Sequence, residues 1–283
     1  MEADMNQKRH FLRNAGAVLS LAVLAGCTGM NTTQSGAVGV NRTQYMSSMV
    51  PSQALEQEAT QQYADILKEA QAKGLLDRDA QQLARVRNIS QRLIAQAGVF
   101  RPDAAGWKWE VHVLSSDEIN AWCMPGGKIA VYTGLIGKIK PSDDELAAVL
   151  GHEIAHALRE HARERVSQQM ATNLGLSVLS IATGSSVASD LGGELTSVMF
   201  TLPNSRTHET EADRMGVELA ARAGYDPRAA VTLWQKMGAA SQGNAPPEIL
   251  STHPSAASRI SDLQAAAQKV MPLYEQSKGQ AAR

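Results

Sequence analysis

Cysteine is nearly absent: Cys27 and Cys123 are the two in 283 residues. Cys27 closes an apolar N-terminal run, and once it is modified no internal disulfide can form. Cys123 is then a small side chain suited to burial. Charge of one sign is missing as well. With 27 Lys and Arg against 28 Asp and Glu the formal net charge is −1, which is no nucleic-acid signature. Also missing are apolar runs long enough to span a membrane. The N-terminal run is too short, and residues 171–203 are cut by Gly175, Gly184, Gly192, Gly193 and Pro203. That glycine content predicts short helices and mobile loops that lid a cleft. Internal repeats are absent, and about 230 ordered residues suit one compact, mostly helical α+β domain.

The N-terminus sets the expected compartment. Lys8, Arg9 and Arg13 precede an apolar stretch from Ala15 to Ala25. It ends Leu24-Ala25-Gly26-Cys27, which resembles a bacterial lipobox. Residues 1–26 therefore read as a lipoprotein signal peptide. Cleavage before Cys27 leaves that residue linked to diacylglycerol and N-acylated, and several acyl chains give stable anchoring. Thr28 follows, with no Asp to favour the inner membrane. The expected location is the periplasm, on the outer membrane of a Gram-negative bacterium. Residues 27–51, rich in Ser, Thr, Gly and Asn, read as the lipidated Cys27 and a flexible tether. Residues 52–276 form the single domain and 277–283 a polar tail.

His152-Glu153-Ile154-Ala155-His156 carries the chemistry. Two imidazoles at i and i+4 lie about 40° apart on one helix face and can grip one zinc ion. The carboxylate between them stands beside the metal, placed to take a proton from its water. Context makes the segment helical. Ser142 to Glu145 reads as a capping box after Pro141. Leu146, Val149, Leu150, Ile154 and Leu158 then recur as an apolar stripe. Polar ligands beside a buried face need a partner such as a metal.

A catalytic zinc usually takes three protein ligands. Arg159 and Arg163 stand where a metzincin would have its Gly and third His, so the third ligand comes from elsewhere. A second carboxylate-rich helix runs from Ser205 to Gly224. Glu209 and Asp213 share a face, one able to bind metal while the other orients a histidine. Glu211 lies about 200° from Glu209, so both cannot face the metal, and spacing alone does not choose between them. His161, about 140° round from His156, is expected to point into solvent, and His208 away from the metal. Two helices are expected over 52–73 and 77–97, a small β region over about 107–133, and a last helix from about Ser255 into the 270s.

Four motifs together resemble the zinc endopeptidases that include the CAAX prenyl proteases, the HtpX-type membrane proteases and periplasmic lipoprotein proteases of the LoiP kind. They are His152 to His156, Glu209 to Asp213 with Ser205-Arg206 before it, Asn120 to Leu135, and Thr252-His253-Pro254 with Arg259. The resemblance covers roughly 85–270 and implies a gluzincin-type domain with a small β-sheet beside the H-E-x-x-H helix. It implies one zinc per chain held by His152, His156 and Glu209, with Asp213 as the supporting carboxylate. It places His253 by the active site, either polarising the scissile carbonyl or serving as a fourth zinc ligand in a resting state, with Arg259 anchoring that element. It also implies a strand at the cleft edge, Gly127, Lys128, Ile129, Ala130 and Val131, on which an extended polypeptide pairs.

The expected activity is hydrolysis of peptide bonds in unfolded or misassembled envelope proteins, with Glu153 as base. The rival is an outer-membrane protein assembly factor or chaperone with latent or secondary proteolysis. An intact Glu153 argues against a dead scaffold. The expected partners are polypeptide substrates, the membrane through Cys27, and an outer-membrane assembly machinery.

Overall fold

The computed structural model describes residues 27–183, 191–240, 248–253 and 258–281. The expected signal peptide and Pro254 lie outside them. The described part is mostly helical with two small sheets. No helix among the described residues is long and apolar enough to cross a membrane.

Helix α1 (Ser52–Ala72) buries Leu55, Ala59 and Tyr63, one residue per turn. Helix α2 (Ala80–Ile94) is capped by Asp79, whose side chain accepts from the Gln81 and Gln82 amides. Beyond them lie β3 (Glu110–Leu114), β4 (Ala121–Met124) and β5 (Lys128–Tyr132), in the sheet order β3-β5-β4. The sheet is buried on both faces. Val111, Val113, Ala121, Cys123, Ile129 and Val131 enter the main core. Leu114, Trp122, Met124 and Ala130 pack in a second cluster with Leu55, Ala59 and Tyr63 of α1. The Tyr63 hydroxyl donates to the Ile129 carbonyl at 2.7 Å.

This topology corrects the expectation for Gly127 to Val131. Strand β5 is the middle strand, parallel to β3 and antiparallel to β4, so its N–H and C=O groups are taken on both sides. Gly127 belongs to the turn before it, with φ of 82°. Lys128 is buried, its ammonium 2.7 Å from Glu110 Oε1. The edge strand beside the metal helix is β4.

The expected tether also differs. Residues 27–51 contain β1 (Cys27–Met30) and β2 (Gln44–Ser47), paired antiparallel. Val38 and Val40 are buried in the main core, and the Val38 amide donates to Glu218 Oε2 at 2.9 Å. A polar composition suggests a solvated chain, but here the polar groups find buried partners, so the segment straps the domain.

Helix α3 (Asp143–Leu158) starts with the full capping box of Ser142 and Glu145. After it come α4 (His161–Thr183), α5 (Leu191–Phe200) and α6 (Arg206–Arg222). The described residues of the region expected as short helices and loops are largely two helices, with Gly175 inside α4, while Gly184 lies outside the described residues. The chain continues through α7 (Ala229–Ala240), α8 (Glu248–Thr252) and α9 (Arg259–Ala281). Helix α9 runs on into the expected polar tail as far as Ala281, and the Ser277 hydroxyl donates to the Ala221 carbonyl at 3.1 Å.

The packing of α3 on α6 sets the site. The two backbones touch at Gly151 and Gly216: a Cβ on Gly216 would lie 2.6 Å from the His152 amide nitrogen, and one on Gly151 2.8 Å from the Gly216 carbonyl oxygen. No side chain fits that crossing, and the close approach brings the carboxylates of α6 within reach of His152. Gly216→Val is expected to destabilise the fold by about 1–3 kcal/mol through overpacking, lowering the thermal midpoint by several degrees. An unchanged midpoint would show that the crossing has slack.

Candidate active site

Helix α3 presents His152 and His156 on the face turned to α6, and α6 presents Glu209. The loop after α8 adds His253. Four donor atoms, one from each, lie within 4.8 Å of one another, and all four residues are buried. His152 Nε2 is 3.0 Å from His156 Nε2 and 3.2 Å from His253 Nδ1. Glu209 lies 3.5 Å from His152 Nε2, 3.4 Å from His156 Nε2 and 3.0 Å from His253 Nδ1. Metal–ligand bonds of about 2.0–2.1 Å in a tetrahedron put the donors about 3.3–3.4 Å apart. Five of the six donor pairs, at 3.0–3.5 Å, sit near that spacing.

The supporting contacts agree. The other ring nitrogen of His152, Nδ1, lies 2.9 Å from Asp213 Oδ1. The Asp213 carboxylate thus lies beside the ring nitrogen that is not part of the cluster. Arg259 Nη2 donates to Asp213 at 2.7 Å, and Nη1 lies 3.1 Å from Glu209. Its guanidinium stacks 3.3 Å over the Trp234 ring. Arg259 therefore contacts both carboxylates of α6. Glu211 faces away from the metal-ligand cluster.

Glu153 is buried beside the cluster, and its Oε1 has no hydrogen-bond partner among the described residues. His253 Nε2 stands 3.6 Å from that oxygen. Burial raises the Glu153 carboxyl above its ordinary value. Burial acts the same way on Glu209, yet His253, His152 and His156 around it hold it well below the usual carboxylate range. His156 is pushed well below the ordinary imidazole value by its burial. The site thus holds His156 towards its neutral form and Glu209 towards its ionised form, the states in which these two groups bind a metal. The residues fit zinc.

A cavity opens alongside, lined by Trp122, Cys123, Glu153, His156, Val198 and His253. Strand β4 forms one wall, and α5 contributes Val198 to another. The Tyr132 amide donates to the Asn120 carbonyl. Antiparallel alternation then turns the Cys123 amide and carbonyl away from β5, towards the outer edge.

His161 departs from expectation. His161 is buried, its Nδ1 2.8 Å from His156 Nδ1 and its Nε2 3.0 Å from Glu211 Oε2. The cause is a break in the helix: Glu160 takes a left-handed φ of 52°, so the 100° per residue count fails there and α4 starts by turning His161 back onto His156. Arg101, Arg163 and Ser52 all bind the Glu160 carboxylate, at 2.7, 2.9 and 2.8 Å, and hold that turn. His208 is also buried but bonds Glu164 at 3.1 Å rather than the metal-ligand cluster.

Residues 80–267 match the model of peptidase family M48. Over 154 residues, 54% of this chain and 30% of the relative, the sequence is 42% identical to the mitochondrial metalloendopeptidase OMA1 of Arabidopsis thaliana. Over 180 residues, 62% of this chain and 50% of the relative, it is 38% identical to the mitochondrial metalloendopeptidase OMA1 of Schizosaccharomyces pombe. Over 205 residues, 68% of this chain and 40% of the relative, it is 30% identical to the beta-barrel assembly-enhancing protease of Escherichia coli K12. The chain spans half or less of the length of these relatives. The family match covers well over half of the chain and contains His152, Glu153, His156, Glu209, Asp213, His253 and Arg259: the chain belongs to peptidase family M48.

Proposed function

We propose that the protein is a zinc metalloendopeptidase of the bacterial envelope, lipid-anchored through Cys27, that cuts extended segments of unfolded or misassembled proteins. The carrying observation is the buried, closely spaced set of His152, His156 and Glu209 beside the unpartnered Oε1 of Glu153. When bound there, zinc supplies Lewis-acid polarisation of a water and of the scissile carbonyl. His152 and His156 hold the metal through Nε2, and Asp213 keeps the His152 ring oriented. Glu153 accepts the water proton at Oε1 and hands it to the leaving amide nitrogen. An extended substrate adds along the outer edge of β4, where main-chain pairing reads little sequence.

His253 Nδ1, 3.2 Å from His152 Nε2 and 3.0 Å from Glu209, would serve as a fourth ligand when zinc is bound, and activity would stay latent while it does. The envelope setting rests on the lipobox-like Leu24 to Cys27 and on likeness to a relative named for beta-barrel assembly. The same likeness supports the second reading, in which outer-membrane protein assembly is the main task and proteolysis is secondary.

The test is cleavage of unfolded casein by the chain starting at Cys27, with and without a zinc chelator. Cleavage is expected to stop on chelation and return with added zinc, at one zinc per chain. Chelator-resistant cleavage would remove the metal from the reaction. Bound zinc with no cleavage would favour the client-holding reading.

A further inference from the structure

Behind the metal-ligand cluster lies a buried polar network that the proposed mechanism does not use. It begins at the Nδ1–Nδ1 contact between His156 and His161 and continues through His161 Nε2 to Glu211. Glu211 is gripped by Arg42, whose Nε and Nη2 each lie 3.0 Å from its two oxygens. Arg42 also binds Glu164 through Nη1 and Nη2, at 2.7 and 2.8 Å. Arg42 belongs to the N-terminal strap, and its neighbours fasten the same place. Gln44 donates to Glu164 and to the Arg159 carbonyl, while Asn31 and Thr33 accept from the buried Arg159 guanidinium.

One arrangement of protons satisfies this chain once His156 directs its Nε2 lone pair at a metal. Its proton must then sit on Nδ1, because a neutral imidazole carries one. His156 Nδ1–H donates to His161 Nδ1, which must be bare. His161 therefore carries its proton on Nε2 and donates it to Glu211, an ionised acceptor fixed by Arg42. Reversing the chain would put a proton on His156 Nε2, where it would oppose the metal.

We propose that His161, Glu211 and Arg42 form a positioning relay that fixes the tautomer and orientation of His156, so that the N-terminal strap is part of the metal centre's support. The proposal rests on His156 being a metal ligand. It gives His156 on one side what Asp213 gives His152 on the other. It also makes the strap more than a covering: loss of Arg42 would loosen a metal ligand in a different element.

The test is zinc affinity, measured by competition with a chromophoric chelator, on the chain starting at Cys27. His161→Ala and Glu211→Gln are expected to bind zinc about 10–100-fold more weakly than wild type, the usual consequence of removing such a partner. Arg42→Ala is expected to weaken binding too, and Arg42→Lys to restore part of it. Arg42 is 30% exposed, so its variants report even where the buried replacements do not fold. Cobalt(II) in place of zinc is expected to show a shifted visible spectrum in the His161 and Glu211 variants, which a purely structural role would not produce. Folded variants with wild-type zinc affinity and an unchanged cobalt spectrum would overturn the relay. Wild type that binds no zinc would overturn the metal reading itself, and the two failures are separable.

Discussion

Glu153→Gln is expected to cut casein cleavage about 1,000-fold while leaving one zinc per chain, since positioned proton transfer contributes about 10²–10⁴-fold. Glutamine keeps the shape of the side chain and cannot take a proton. Glu153 is outside the ligand cluster, so its change removes no metal donor. Its carboxyl is raised by burial, which moves it towards the range where a base works best near neutral pH. Its Oε1 is buried without a partner, an arrangement that costs about 1–3 kcal/mol unless something occupies the space beside it. A water or substrate there would satisfy it. Turnover and zinc content measured on both proteins decide the matter. Near-normal cleavage by the variant would require another base. Loss of zinc with activity would instead place Glu153 among the ligands.

Much of this site was readable because it is built from short-range helical geometry. His152 and His156 share a face, and the Ser142 capping box fixes where their helix begins; neither depends on the rest of the chain. The separation of Glu209 from Glu211 follows from the same angular count, and the structure turns Glu211 away from the cluster. The count fails once the helix is interrupted. Glu160, left-handed and held by three distant partners, redirects His161, and no local signal in the sequence marks it. The role of Glu211 was hidden for the same reason, because its partner His161 was assigned to solvent.

The strand expectation failed differently. Ile129 and Val131 on one face with Ala130 and Tyr132 on the other is an apolar pattern on both sides, which suits an interior strand better than an edge. That signal was present and was outweighed by the family resemblance, which suggested a cleft-edge strand. The edge is β4, one strand earlier, where Trp122 and Cys123 are equally apolar. The strap shows the limit of composition. Asn31, Thr33, Arg42 and Gln44 look like tether residues, and only the buried Arg159, Glu164 and Glu211 explain them. Those partners lie more than a hundred residues away in sequence.

His253→Ala is expected to raise casein cleavage about 10-fold or more and to lower zinc affinity. The two expected roles of His253 predict opposite signs, so the variant separates them. A residue that polarises the scissile carbonyl must leave room for that carbonyl and for a water between itself and the metal. His253 Nδ1 instead lies 3.2 Å from His152 Nε2 and 3.0 Å from Glu209, the same spacing the other donors keep among themselves. Its Nε2 stands 3.6 Å from Glu153 Oε1, so the ring lies close to the base as well as to the ligand atoms. A ring bound as fourth ligand would take the position a reacting water needs. Minor conformers of such two-state systems typically hold about 0.1–10% of the population, and removing the ring makes the open state the only one, which sets the size of the gain. Zinc loses one of four ligands, which accounts for the weaker binding. The measurement is turnover at saturating zinc together with chelator competition. A fall in turnover with zinc affinity unchanged would return His253 to the carbonyl-polarising role and remove latency from the reading of this site.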